Sequence, residues 1–284
     1  VDGAEVVGLA ETPTPSQDGP DAIMDAAWAL AADVARRNPG ASELAVASAG
    51  VVDPVAGRVT SATDALKDWA GTELHAGMAE RSRMPVRVLN DVHAHAYGEF
   101  RHGHGRGHDS MLLIAAGTGI GGGLVAGGEL VLGRSFVAGH VGHVDVAAAD
   151  GLLCSCGRTG HLEAVASGTG IEQRFVALTG ERLTGGAIAA LAATDDPLAT
   201  EARAVITTAG HALGRAIGGF LNTFDPGLVV LAGSVTRAGD AWRAALDEGV
   251  AASAMGIVAG TPVEVAELSN AALVGVAAWA PQEG

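Results

Sequence analysis

The densest chemistry in this chain lies in GHVGHVDVAAADGLLCSCGRTGHLE, residues 139–163, which holds both cysteines and three of the ten histidines. Cys154 and Cys156 stand one residue apart, with His143 upstream and His161 five residues after Cys156. Thiolate sulfur and imidazole nitrogen are donors that zinc takes in tetrahedral sites. Gly142, Gly151, Gly157 and Gly160 give the loop the backbone freedom to wrap an ion. The set therefore predicts a zinc site of His143, Cys154, Cys156 and His161; His140 in place of His143 would change its geometry but not the metal. Without a metal, the same residues read as two buried thiols and solvent histidines. His140 and Glu163 are polar groups of this stretch that could face a polyhydroxylated ligand.

Asn90-Asp91 is a second candidate. The run from Met84 to Leu89 predicts a strand and the one from about Val92 to Phe100 a helix, so Asp91 stands where open α/β sheets place their ligands. Its carboxylate could serve as general base for a hydroxyl, or it could simply cap the helix. A third candidate is GTGIGGG, Gly117 to Gly123, whose glycines can bring backbone N–H groups close to a phosphate. Because strands are expected on both sides of it, it fails the strand–turn–helix context of a dinucleotide fingerprint and reads otherwise as a hairpin turn. Ala232-Gly233-Ser234, after the apolar run LVVL, is either a ligand-facing turn or an ordinary capped one.

The elements that must position these residues form a mixed α/β pattern. Val1 to Ala10 reads as half of a hairpin turning at Asp2-Gly3, and Pro20 opens a helix running to about Arg37. Strands are expected at Leu44–Ser48, Val59–Ser61, Met111–Ala116, within LVAG after the glycines, and at Glu129–Leu132 after a Gly127-Gly128 turn. RHGHGRGHDS, residues 101–110, reads as a loop whose histidines take no role. The second half is mostly helical, at Gly170–Leu178, Gly185–Ala193 and Pro197–Phe224. Leu228–Ala232 reads as a parallel strand, Val263–Ala266 as another, and Asn270–Trp279 as a closing helix. Trp69 and Tyr97 read as packing residues.

Composition narrows the function classes. With 48% apolar residues the 284-residue chain can build a large core, as one large domain or two moderate ones. No run approaches the roughly 18–20 uncharged apolar residues of a membrane span. A formal charge of −15 argues against a nucleic-acid surface. Two cysteines at this spacing suit a metal in a reducing, cytoplasmic compartment better than a disulfide scaffold.

Six stretches, in order, resemble the ROK family of sugar kinases and sugar-responsive repressors. They are NDVHAHAYGE (90–99), GTGIGGG (117–123), AGHVGHV (138–144), CSCGRTGHLEAVASG (154–168), VVLAGS (229–234) and LSNAALVGVAAWA (268–280). The resemblance implies a two-domain actin-like, hexokinase-like (ribonuclease H-like) α/β fold. Its small lobe would hold residues 1–93 plus a C-terminal helix at about 268–284, and its larger lobe residues 94–267. By the resemblance Asp91 is the catalytic base, and Asn90, Asp91, His140, His143 and Glu163 contact sugar. Gly117, Thr118, Gly119 and Gly121 face ATP phosphates, and Gly233 and Ser234 lie near the adenosine. His143, Cys154, Cys156 and His161 hold a structural zinc; Mg²⁺ accompanies ATP; a homodimer is expected. The alternative is the sugar-sensing part of a repressor, and a blander one a catalytically dead sugar-binding protein.

The sequence departs from the family pattern in three places. His140 stands where the family usually has Glu, and a neutral imidazole accepts one hydrogen bond and donates one where a carboxylate only accepts. His161 stands for a cysteine, leaving a Cys₂His₂ set that zinc accepts. The sequence begins just after the family's opening strand, Asp-x-Gly-Gly-Thr turn and second strand; these are expected to precede Val1, the alternative being a protein that lacks half of a phosphate grip.

Overall fold

The computed structural model describes residues 1–280. Helix α1 spans Pro20–Arg37, as its sequence predicts. Pro20 stands at the first turn, where a missing N–H loses no helix bond, and Arg36 and Arg37 stand at the negative end of the dipole. Strands β1 (Leu44–Ser48) and β4 (Val86–Asn90) pair in parallel from Leu44–Val86 to Ser48–Asn90. Between them, β2 (Val51–Asp53) and β3 (Arg58–Ser61) form an antiparallel pair, and α2 spans Leu74–Ser82. Ile23, Met24, Val52, Val59, Trp69, Leu74, Met78, Val86 and Val88 make one core here.

After α3 (Asp91–His102), a five-stranded sheet has the order β7-β6-β5-β8-β9, with β5 Ser110–Ala116, β6 Ile120–Ala126, β7 Glu129–Val131, β8 Val229–Ala232 and β9 Val263–Val265. β5, β8 and β9 run parallel, and β6 and β7 antiparallel. Successive strand residues face opposite sides. Leu112, Ile114, Val229 and Leu231 enter the core shared with the second-half helices, while Met111, Leu113, Leu228 and Val230 pack with Ala96 and Phe100 of α3. Both faces are covered, which is why these strands read as unbroken apolar runs. The second-half helices are α4 (Glu163–Ala166), α5 (Gly168–Thr179), α6 (Gly185–Leu191), α7 (Ala199–Phe224) and α8 (Asp240–Ser253). Helix α9 (Ala271–Ala278) lies against α3 at backbone contact: a Cβ on Gly275 would stand 1.8 Å from Ala94 O.

Several expectations change. At the start, only an Asp2–Glu5 bridge forms and residues 6–10 are not a strand, so the half-hairpin is confined to its turn. Gly121, Gly122 and Gly123 belong to β6 rather than to a turn. Residues 101 and 102 continue α3, and Ser110 already belongs to β5. β2, α2 and α8 add to the expected elements. The last four positions of the C-terminal helix segment, 281–284, lie outside the described residues.

Candidate active site

The C-terminal ends of β1 and β4 lie side by side, and α3 leaves from the second of them. Asn90, not Asp91, is the N-cap of α3: its Oδ1 accepts from Val92 N at 3.0 Å and His93 N at 2.9 Å. Its Nδ2 donates to Gly50 O at 2.8 Å and to Asp91 Oδ1 at 3.0 Å. Asp91 Oδ1 also accepts from Val92 N at 2.9 Å, but only Asn90 reaches His93 N, so the cap rests on Asn90. Burial raises its carboxyl above the ordinary range, against the pull of the Val92 and Asp91 backbone amides and the Asn90 side chain. A partly buried carboxylate with raised basicity, at the edge of a parallel sheet, suits proton acceptance from a ligand hydroxyl.

His143 ends a single turn of 3-10 helix, Val141–His143, that packs on β6; a Cβ on Gly142 would stand 2.1 Å from Ile120 O. The chain then folds into a narrow ladder, with Leu153 bridged to Thr159 and Asp145 to His161. Cys154 N donates to Arg158 O at 2.7 Å and Gly157 N to Cys154 O at 2.9 Å, closing the CSCG turn. This brings Cys154 Sγ within 3.6 Å of His143 Nδ1 and Cys156 Sγ within 3.2 Å of His161 Nδ1. One donor atom from each of the four residues lies within 4.8 Å of the others. Bond lengths near 2.0–2.3 Å around a tetrahedral ion require donor separations of about 3.3–3.8 Å, so the set fits zinc with small adjustment. Burial pushes the Cys154 thiol up to about 11, with the Cys156 side chain and the Glu163 carboxylate adding to it. A cation would reverse that balance, since a coordinating thiol is held deprotonated.

Glu163 opens α4 and joins this loop to the glycine turn. Its Oε2 accepts from Ile120 N at 2.9 Å, and its Oε1 accepts from the Ser155 hydroxyl and, at 3.4 Å, from the Cys154 thiol. His140 lies beside α3: its ring and that of His93 are 5.7 Å apart, edge to face. His93 Nε2 lies 2.8 Å from Ala138 O, so this nitrogen carries the proton and the loop is pinned to the Asp91 helix. Burial, then His93 and His143, push His140 down to about 4, and burial lowers His93 as well. Both rings are neutral at pH 7.

The glycine turn meets two other segments. Gly168 N donates to Gly117 O at 2.7 Å, and a Cβ on Gly233 would lie 2.3 Å from Ala116 O. Beside this junction opens a cleft of about 310 Å³, lined by Thr118, Thr169, Glu172, Gly185, Ser234 and Arg237 among others. Ser234 starts a 3-10 turn, Ser234–Arg237, after the turn at Gly233. Thr118 and Ser234 face the cleft, while Gly117 and Gly119 form the adjoining turn, and Gly121 lies within β6 against Val92. The sequence reading missed Thr169, Glu172, Gly185 and Arg237. Ser167-Gly168-Thr169-Gly170 carried a signal: Ser167 caps α5 by accepting from Gly170 N at 3.0 Å, beside small residues that admit a ligand. Ser155 and His93 gave no comparable signal.

Compared with known proteins, residues 2–283 match the ROK family. A glucokinase of Halalkalibacterium halodurans is 37% identical over 171 residues, 59% of this chain and 51% of the relative. An N-acetylmannosamine kinase of Shigella boydii is 39% identical over 165 residues, 57% of this chain and 53% of the relative. These matches thus span about half the length of the curated relatives. Among solved structures, the Streptomyces griseus ROK family glucokinase in complex with glucose and AMPPNP superposes with a TM-score of 0.81 at 28% identity, covering 98% of this chain and 92% of that one. The mixed α/β body has the actin-like two-domain fold. Among the described residues no helix is long and apolar enough to cross a membrane. With nearly its whole length matched, this chain belongs to the ROK family.

Proposed function

We propose that the chain phosphorylates a hexose or N-acetylhexosamine with ATP. The observation that carries the reading is the partly buried Asp91 carboxylate, raised in basicity and fixed by Asn90 at the end of β4. The names of the relatives, glucokinase and N-acetylmannosamine kinase, supply the substrate class. Asp91 takes the proton of a sugar hydroxyl, the 6-hydroxyl in this reading, as that oxygen forms its bond to the γ-phosphorus and the bond to the β-phosphate oxygen breaks. Asn90, His140, His143 and Glu163 orient the sugar. Gly117, Thr118, Gly119 and Gly121 serve the phosphates, with Gly233 and Ser234 beside the adenosine and Mg²⁺ entering with ATP.

His143, Cys154, Cys156 and His161 would hold zinc. Four protein ligands leave no open position, so its contribution is to order the loop carrying Glu163. With Nδ1 of His143 turned to Cys154, its Nε2 remains for a sugar hydroxyl. We take the lobes as residues 1–93 with the segment from 268, and residues 94–267, with substrates between them. A coupled ADP-release assay over a panel of hexoses and N-acetylhexosamines, with zinc measured on the same sample, tests the reading. Turnover on a panel member with one zinc per chain is expected; no ADP release with any sugar would refute the activity.

A further inference from the structure

Trp69 is buried at 4% exposure in the connection between β3 and α2, among Val52, Val59, Leu74 and Met78. It reads as packing from the sequence, yet its indole makes two directed bonds. Nε1 donates to Ser48 Oγ at 3.1 Å and to Ala49 O at 3.2 Å, across 21 and 20 residues. The Ser48 hydroxyl in turn donates to Ala49 O at 3.0 Å. These acceptors sit at the last residue of β1 and the first of the Ala49-Gly50 turn. The next carbonyl along, Gly50 O, accepts from Asn90 Nδ2. The turn has no slack: Gly50 has a φ of +92°, and a Cβ there would stand 2.7 Å from Ser61 O. Asn90 has no slack either, because its oxygen faces two helix N–H groups, which fixes Nδ2 toward Gly50 and Asp91.

We infer that Trp69 is a positioning residue for Asp91, acting through the Ala49-Gly50 turn and the Asn90 amide. The indole fixes the turn, the turn fixes the amide, and the amide, together with Val92 N, holds Oδ1 and so sets the orientation of the Asp91 carboxylate. Ser48, Trp69 and Asn90 are all less than one-tenth exposed, so no water-mediated substitute is at hand. The inference rests on the kinase reading for the role of Asp91; the bonds themselves do not.

Trp69→Phe tests it, keeping most of the ring packing and removing the N–H. On the preferred sugar, kcat should fall about tenfold, with KM for sugar and ATP within about twofold, because a base displaced by a fraction of an ångström slows chemistry more than binding. In an Asn90→Ala background the substitution should add little, since the path is already cut. Unchanged kcat, a rise in KM alone, or full additivity would overturn the inference. A second readout needs no turnover. In ¹⁵N-labelled, unliganded protein the Asn90 side-chain NH₂ should shift and exchange faster in Trp69→Phe, and to a lesser degree in Ser48→Ala, which serves if the first variant does not fold. Unmoved Asn90 resonances in a folded variant would sink the positioning role, whether or not any sugar is phosphorylated.

Discussion

Asn90 Nδ2 lies 3.0 Å from Asp91 Oδ1, while the other end of the same amide accepts from His93 N and shares Val92 N with that carboxylate. Adjacent residues thus divide two tasks that a single aspartate would otherwise combine. Since Asn90 caps the helix, Asp91 can be altered without unravelling it. Asp91→Asn should retain sugar affinity in calorimetry and lose about 10²–10⁴ in kcat, the usual worth of a positioned base. Near-normal phosphoryl transfer would remove Asp91 from that role.

Replacing the cap has the opposite signature. Asn90→Ala orphans His93 N and Gly50 O, while Val92 N keeps its bond to Asp91 Oδ1. A lost cap is worth about 0.5–2 kcal/mol, and the carbonyl left without its donor adds to it. Urea unfolding should show a lower midpoint at unchanged slope.

The Glu163 carboxylate spans Ile120 N and the Ser155 hydroxyl. Glu163→Gln keeps the shape but removes the charge and half of the accepting capacity. Amide exchange at Ile120 should accelerate about tenfold, the fold-change matching loss of a charge-assisted bond. Sugar KM should rise with it. Unaltered protection of Ile120 would show that another group holds the turn.

Cys154→Ser and Cys156→Ser should each lower bound zinc, and chelation of the parent protein should lower its melting temperature, because metal binding adds to folding free energy. Metal content by elemental analysis checks the first and calorimetry the second. Full zinc occupancy in both serine variants would place the ion elsewhere.

His140 and His93 give stability a definite pH sign. Both are held below the ordinary imidazole value, His140 at about 4, so between their folded values and the unfolded value near 6.5 the unfolded chain binds more protons. Their contribution is therefore complete above about pH 6.5 and is lost as pH falls toward 4. Unfolding midpoints measured across that window should drop, and His140→Gln should flatten the slope. With the Asp91 carboxyl raised by burial, the proposed base role predicts an acid limb of the rate profile above the ordinary aspartate range.

Local signals made much of the fold legible. Pro20 and the terminal arginines bound α1, and the apolar runs at 111–116 and 228–232 announced strands buried on both faces. The four residues that could hold a metal were legible as a set because a CxC turn between two histidines is itself a local arrangement. Less visible were α2, whose start has no side-chain cap, and α8, which likewise begins without one and carries Gly249 in its interior. Period alone cannot supply the tertiary contact that stabilises such helices.

What the sequence determined by itself was the inventory: a base candidate after a strand, a donor set, glycine turns and the α/β order. The tertiary structure decided their relations. It made Asn90 the cap, joined Glu163 to Ile120 across 43 residues, set His93 against His140, and turned Trp69 from filler into a donor. The physical reason is that propensity and spacing act within a few residues, whereas a hydrogen bond between distant segments exists only once the cores have packed around it.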